Sequence, residues 1–308
     1  MRRSVGGGRN TQETATIVGI HGLGNKPPVD EKRRWWEAAI REGLSRNEHL
    51  HRVEAAFEFV YWADLRYDAP LDTSGNQEPY RPYPGAGPLS NADEAPAIST
   101  GTLLAPVYEG LDWVQSKTGI TPLDDVILEY RFDDLWHYHA EDPFAQRVRS
   151  RLIDRLDTLR DGRILLAAHS MGSVIAYDVL RFLEQHDPML RVDHFVTLGS
   201  PLGLAKVKLK AEAEFGSLRV PGNVAAWTNL YDGEDVVAIT GALASDYVPN
   251  GGVRVQDVQV VNDYTAPNGG ANHHKSYGYL RTPEFSNIAS AFAGARGWLE
   301  GDEARERD

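Results

Sequence analysis

The sequence predicts an α/β fold in which a mostly parallel sheet is covered by helices on both faces. Short apolar segments of strand length alternate along the chain with longer segments whose apolar residues recur at helical spacing. Such alternation is typical of parallel sheets whose crossover connections are helices. The 308 residues are enough for one large domain with a substantial core, and length alone would also allow two smaller domains.

Residue composition and the spacing of apolar residues predict the individual strands and helices. Seven segments are predicted to be strands: residues 14–20, 57–62, 125–131, 163–168, 192–198, 224–231 and 253–261. Five are predicted to be helices: residues 30–46, 102–117, 143–159, 172–184 and 285–299. Asp30 is the expected N-cap of the first helix, and Asp161-Gly162 is expected to end the third.

Prolines and glycines interrupt this pattern between residues 69 and 100, where regular structure is not expected. We interpret this segment as a loop inserted into one domain that spans residues 14–300. Residues 1–13 are predicted to be a flexible N-terminus, and residues 301–308 a charged tail. Either the loop 69–100 or the stretch 203–222 is expected to border the substrate pocket as a small cap.

The bulk composition excludes several classes of function. The chain has no cysteine, which excludes a disulfide framework, a zinc–thiolate site and a cysteine nucleophile, and which fits a cytoplasmic location. A formal net charge of −12 argues against nucleic acid as the main partner. No apolar run is long enough to be a transmembrane segment. A small-molecule acyl substrate is the expected partner, and no metal or cofactor is expected.

Ser170 is the candidate catalytic nucleophile. It lies in the segment Ala-His-Ser-Met-Gly at residues 168–172, between an apolar strand and an amphipathic helix. In such a strand–turn–helix the serine hydroxyl is lifted out of the sheet, and the residues two before and two after it must be small. Ala168 and Gly172 meet that requirement, although glycine is commoner at the first position. The alternative interpretation is that Ser170 only caps the helix that follows.

The segment His-Gly-Leu-Gly at residues 21–24 is a candidate for the oxyanion loop. It follows the first predicted strand, and its glycines allow the backbone to approach a substrate closely. We expect the backbone N–H groups of Leu23 and Met171 to form the oxyanion hole. A phosphate-binding loop is the alternative, but no Gly-Lys-Ser/Thr sequence follows.

The catalytic acid and base are expected after later strands, in the order serine, acid, histidine. Asp235 is the preferred acid; Asp232 is the alternate, because it could instead fix the turn through its own backbone. His274 is the preferred base, and the adjacent His273 is its alternate.

Further residues are assigned by their position next to these candidates. Those expected to line the substrate pocket are His21, Gly22, His169 and Ser200. His137 and His139 stand near acidic residues, but two loop histidines at this spacing are weak evidence for a metal site. The basic run Lys206, Lys208 and Lys210 is interpreted as a solvated surface.

Taken together, the motifs resemble those of bacterial α/β-hydrolases of the lipase and serine-esterase kind. The resemblance runs in order over residues 15–281, through the segments 21–24, 168–172, 198–202, 229–237 and 274–277. It implies the α/β-hydrolase fold, with the acid just before a hydrophobic pair, which supports Asp235. It also implies a base followed three positions later by a tyrosine, which supports His274.

The sequence therefore predicts a serine hydrolase that cleaves a carboxylic ester through an acyl-enzyme on Ser170. Two alternatives stay open: an acyltransferase, thioesterase or amidase with the same triad, and an inert binding or scaffold module on the same fold. Activity is expected to fall as His274 is protonated at low pH, because an imidazolium cannot act as a base.

Overall fold

The computed structural model describes residues 14–51, 54–72, 79–85, 134–135, 137–140, 142–238, 241–266 and 269–294. Its centre is a sheet of six strands: β1 (Ala15–Ile20), β2 (Ala55–Val60), β3 (Arg163–His169), β4 (His194–Leu198), β5 (Trp227–Asp232) and β6 (Val255–Val260). All five strand pairings are parallel, in the spatial order β2-β1-β3-β4-β5-β6. The predicted mostly parallel α/β architecture is thus confirmed.

Six α-helices have defined bounds in the described part of the chain, and residues 134–135 and 137–140 are also helical. The six are α1 (Val29–Asn47), α2 (Asp142–Thr158), α3 (Met171–His186), α4 (Ala205–Phe215), α5 (Ser276–Leu280) and α6 (Pro283–Phe292). α2, α3 and α4 contribute to the core on one face of the sheet, whereas α1, α5 and α6 contribute to the core on the other. No described helix has the length and apolar character needed to cross a membrane.

The central strands β1 and β3 are buried on both faces because helices cover both faces of the sheet. In β3, Ile164, Leu166 and Ala168 belong to one core, and Leu165 and Ala167 to the other. This period-two division places successive side chains in opposite cores, as expected for a buried parallel strand. It explains why the sequence of β3 from Ile164 to Ala168 is a continuous apolar run.

The element predictions differ from the structure in a few places. The N-cap of α1 is Pro28, so the prediction of Asp30 was wrong; Asp30 lies in the first turn, where its charge still favours the helix N-terminus. Helices α4 and α5 were not predicted, and α6 begins two residues earlier than expected. The predicted helix 102–117 and strand 125–131 lie outside the described residues.

The described parts of the proline-rich segment have no helix or strand, and they contact other parts of the domain. Leu71 N–H donates to the carbonyl of Lys26 over 2.8 Å, which fixes the segment beside the loop after β1. The ring of Tyr80 packs edge-on against Tyr277 of α5 at a centroid distance of 5.6 Å.

The strand order predicts a crevice at β1, because the strands that follow it in the chain, β2 and β3, lie on opposite sides of it. β1 is followed by β2 on one side, and the chain then continues from β3 on the other side of β1. In open parallel sheets the carboxyl ends of the strands at such a point form the ligand site. His21 follows β1 there, and Ser170 follows β3.

Candidate active site

Ser170 occupies a strained turn between β3 and α3. Its backbone has φ 54° and ψ −130°, a conformation that a residue with a side chain rarely adopts. Such strain persists only where the surroundings impose it, and it is common at functional sites. Ser170 is the N-cap residue of α3, yet its side chain makes no capping hydrogen bond within the described structure. Capping therefore does not account for this serine.

Two glycines let other backbone segments approach the turn. A Cβ added to Gly172 would lie 2.7 Å from the carbonyl oxygens of both Ile20 and His21. A Cβ added to Gly22 would lie 2.6 Å from the Cβ of Ser170. The loop after β1 and the turn after β3 are thus in direct contact, and side chains at these two positions would separate them.

The side chains of Ser170, His274 and Asp235 form a continuous chain of hydrogen bonds. Nε2 of His274 lies 2.9 Å from Oγ of Ser170, and Nδ1 of the same ring lies 2.9 and 2.8 Å from the two carboxylate oxygens of Asp235. Asp235 follows β5, and His274 lies in the turn before α5. The structure therefore brings together the preferred acid and base predicted from sequence.

Asp235 is almost completely buried and held by several donors. Burial alone would raise its pKa, but His274 and the hydrogen bonds from Tyr279 Oη and the N–H of Val237 outweigh burial and lower that pKa. Tyr279 donates over 2.7 Å and Val237 N–H over 2.9 Å. The carboxylate is consequently kept ionised beside the imidazole.

The alternates, Asp232 and His273, lie in a neighbouring cluster that does not include Ser170. The carboxylate of Asp232 accepts the N–H groups of Glu234 over 2.7 Å and Asn262 over 2.6 Å, so it fixes the turn after β5. Nε2 of His273 lies 2.8 Å from Glu234, and Nδ1 lies 3.5 Å from Asp232. The interaction with Asp232, followed by the charge of Glu234, raises the pKa of His273.

His21 anchors the loop that was predicted to hold the oxyanion. Its Nε2 accepts the N–H of Trp62 over 3.0 Å, and its carbonyl accepts the indole N–H of Trp62 over 3.0 Å. Its Nδ1 donates to the carbonyl of Gly22 over 2.8 Å. Burial and the charge of Lys26 lower the pKa of His21, so the ring is neutral and both nitrogens are used in these contacts.

His169, the last residue of β3, connects this strand with the turn that carries His274. Nε2 of His169 donates to the carbonyl of His274 over 2.7 Å, and the two rings lie 4.8 Å apart. Burial, followed by the charges of His274 and Lys32, lowers the pKa of His169, so its ring is neutral.

Ser200 was expected in the pocket wall, but it is not among the described residues that line the cleft at Ser170. Its Oγ lies 2.6 Å from Oγ of Ser173, and the Ser173 hydroxyl donates to the carbonyl of Ser170 over 2.5 Å. Ser200 also accepts the N–H of Leu202 and begins the short 3₁₀ turn Pro201–Gly203. Ser200 therefore supports the turn of Ser170 through Ser173.

The cleft in front of Ser170 has a volume of about 110 Å³. The lining includes three of the predicted pocket residues, His21, Gly22 and His169. Three lysines were not anticipated there: Lys26, Lys32 and Lys275. In the described part of the chain, no group of three or more histidine, cysteine or acidic residues is arranged to hold a metal ion.

Comparisons with known proteins give limited similarity. No protein-family model matches the chain. A 97-residue stretch is 29% identical to a probable mitochondrial phospholipase of Saccharomyces cerevisiae, and this match covers 29% of the chain but only 14% of that relative. The structure overlaps a dienelactone hydrolase from Anabaena variabilis over 92% of this chain and 86% of the other, with 14% identity and a TM-score of 0.38. It overlaps DphMB1 over 93% and 79% of the two chains, with 12% identity and a TM-score of 0.31.

The order of the parallel strands and the strained turn at Ser170 are those of the α/β-hydrolase fold. The predicted resemblance to that superfamily is confirmed at the level of fold.

Proposed function

We propose that the protein is a serine hydrolase that cleaves carboxylic esters through an acyl-enzyme on Ser170. The observation that supports this proposal most directly is the hydrogen-bonded chain from Ser170 Oγ through His274 to Asp235. A serine hydroxyl is a weak nucleophile, and it requires a base within hydrogen-bond reach and a group that orients the base. His274 and Asp235 stand at the distances that these two roles require.

In the first half of the reaction, Oγ of Ser170 attacks the carbonyl carbon of the ester while its proton passes to Nε2 of His274. Asp235 holds Nδ1–H of the ring and stabilises the imidazolium that forms. The tetrahedral intermediate then collapses, the carbon–oxygen bond to the alcohol breaks, and His274 returns the proton to the departing alcohol. The acyl group is left on Ser170.

The negative oxygen of the intermediate requires hydrogen-bond donors that are already in place. Met171 is the first residue of α3, so its backbone N–H has no acceptor within the helix. Leu23 lies in the loop that Gly22 brings against Ser170. The N–H groups of Met171 and Leu23 are therefore the proposed donors.

In the second half, water takes the place of the alcohol. His274 removes a proton from this water, the resulting hydroxide attacks the acyl carbon, and the bond to Ser170 breaks as the serine regains its proton. A carboxylic acid is released, and the resting state is restored. The similarity to a probable phospholipase supports an acyl ester of a lipid as a candidate substrate.

The test compares wild-type protein with Ser170→Ala on short p-nitrophenyl esters, with the exposed Ser150→Ala on α2 as the control. Loss of Ser170 is expected to reduce kcat by at least about 10³-fold, and Ser150→Ala should leave it unchanged. A fluorophosphonate probe should label Ser170 in the folded protein. Equal esterase rates for wild type and Ser170→Ala would disprove the proposal, and labelling without ester hydrolysis would indicate acyl transfer instead.

A further inference from the structure

The distribution of lysines in this acidic protein is uneven. The chain carries a formal net charge of −12, and its lysines are residues 26, 32, 117, 206, 208, 210 and 275. Three of these seven line the single small cleft that contains Ser170 and His274. No aspartate or glutamate is among the described residues that line it. The cleft therefore has a local charge opposite to that of the whole molecule.

Lys32 is the most deeply buried of the three. It is only 5% exposed, although it lies on α1, where a lysine would normally extend into water. Its ammonium group donates to Tyr277 Oη over 2.9 Å and lies 4.4 Å from the centroid of that ring. Burying an ammonium group costs free energy, so its place in the wall of the cleft needs an explanation.

Lys275 brings a second positive charge to the same ring. Its Nζ lies 5.3 Å from the centroid of Tyr277. Nζ of Lys32 and Nζ of Lys275 both lie near the centroid of the Tyr277 ring, so the two nitrogen atoms are at most 9.7 Å apart. Both lysines line the cleft beside Ser170, so an anion bound there would be attracted by two positive charges.

Lys26 contributes a third positive charge to the wall of the cleft, from the loop after β1. Its ammonium group donates to the carbonyls of Leu23 and Gly24, the latter over 2.8 Å, and so fixes the shape of the loop. Burial is the main cause that lowers the pKa of His21 and of His169, and the charges of Lys26 and Lys32 lower both pKa values further.

We propose that the ester substrate carries an anionic oxygen group, a carboxylate or a phosphate, which Lys32 and Lys275 bind in the cleft beside Ser170. Lys26 adds to the attraction from the loop. This inference rests on the proposed function of Ser170, and it adds the chemical class of the substrate. A short distance between the anion and the scissile carbonyl follows from the small volume of the cleft.

The test uses pairs of esters that differ only in charge. One pair is p-nitrophenyl pentanoate and mono-p-nitrophenyl glutarate, in which the anion is on the acyl side. The other pair is 1-butanoylglycerol and its 3-phosphate, in which the anion is on the alcohol side. For wild-type protein, kcat/KM is expected to favour the anionic member of at least one pair by about tenfold or more. The preferred pair then identifies the source of the anion.

Three variants test whether the lysines cause the preference for anionic esters. Lys32→Gln and Lys275→Gln should each reduce the anionic-to-neutral ratio of kcat/KM several-fold, and Lys32→Arg should retain most of it. Lys206→Gln, an exposed lysine on α4, removes the same charge outside the cleft and should leave the ratio unchanged. Equal kcat/KM within both pairs, or a preference that survives both glutamine variants, would overturn the inference.

A binding experiment tests the anion site independently of the proposed ester hydrolysis. Glutarate and inorganic phosphate are added to Ser170→Ala protein, in which the chemistry is absent, and Tm is measured. A rise in Tm that Lys275→Gln abolishes supports the anion site even if no ester is cleaved. Hydrolysis of neutral esters without any effect of either anion would leave the serine hydrolase standing and refute the anion site.

Discussion

Tyr279 donates a hydrogen bond from its phenolic hydroxyl to Oδ2 of Asp235 over 2.7 Å, and both side chains are buried. The same hydroxyl accepts the backbone N–H of Asp232 over 3.0 Å. Tyr279 thus connects the carboxylate with the turn that carries it. Because Tyr279 lies on α5, directly after the turn of His274, it also fixes the distance between the proposed acid and base.

We expect Tyr279→Phe to reduce kcat for ester hydrolysis about tenfold. A hydrogen bond to a charged group is worth about 1.5–3 kcal/mol, and its loss raises the pKa of Asp235 and frees the carboxylate to turn away from His274. The measurement is kcat and KM for a p-nitrophenyl ester over a range of pH. A change in kcat without a matching change in KM indicates altered positioning of the acid.

Tyr247→Phe is the matched control. Tyr247 is also a buried tyrosine, but its hydroxyl donates to the carbonyl of Leu202 over 2.9 Å. Its loss should lower stability without a comparable effect on kcat. If both variants lose activity equally, Tyr279 acts only through stability, and a positioning role is refuted.

The second prediction concerns the close contact at Gly172. In Gly172→Ala the new Cβ would lie 2.7 Å from two backbone oxygens, which cannot move as a flexible side chain does. We expect a loss of about 1–3 kcal/mol in the free energy of unfolding, as is typical of overpacking. The esterase rate should fall as well, because relief of the clash moves the loop after β1 away from Ser170.

Ala168→Gly is the control for Gly172→Ala. It introduces the commoner glycine at the first position of the motif, on a strand where no new contact is made. A loss of about 0.5–1 kcal/mol from backbone entropy is expected, with fluorophosphonate labelling of Ser170 preserved. Urea unfolding and labelling are measured on both variants, and unchanged stability of Gly172→Ala would contradict the steric argument.

The sequence predicted the sheet well because β1 and β3 are buried on both faces and several strands end at turn residues. The same local patterns predicted the positions of Ser170, Asp235 and His274, since each follows a strand at the carboxyl edge of the sheet. These predictions need only the order of motifs along the chain. Their catalytic roles are the proposal above.

Long-range contacts were not predictable in the same way. Lys32 occurs on a helix in a position where a lysine normally faces water, and it is buried because α5 packs over it 245 residues later in the chain. Tyr279 contacts Asp235 across 44 residues. Neither contact has a local signal, because periodicity shows which face of an element is apolar but not what will pack against a polar residue.

The third prediction separates the two adjacent histidines. His274→Gln is expected to reduce kcat by about 10²–10⁴-fold, the range for loss of a general base. His273→Gln removes the ion pairs of this ring with Glu234 and Asp232, neither of which includes Ser170, and its effect should be less than about tenfold. The rates of both variants are measured on one p-nitrophenyl ester, and a larger loss in His273→Gln would reverse our assignment of the base.

The last prediction is a pH dependence of stability that arises from His169. Burial lowers the pKa of this histidine in the folded protein, whereas its pKa in the unfolded chain is near the ordinary 6.5. Below that value the unfolded chain binds a proton that the folded protein does not, so the free energy of unfolding falls as the pH is lowered. The contribution is fully present above about pH 7.5, and about 1.4 kcal/mol of it is lost by pH 5.5.

His169→Gln should remove this part of the pH dependence, since its amide can still donate to the carbonyl of His274 but does not titrate. The free energy of unfolding is measured by urea at pH 7.5 and pH 5.5 for both proteins. We expect the difference between the two pH values to be about 1.4 kcal/mol smaller in the variant, whatever its absolute stability. An unchanged difference would mean that His169 takes up a proton in the folded protein over the same pH range as in the unfolded chain, which would contradict its lowered pKa.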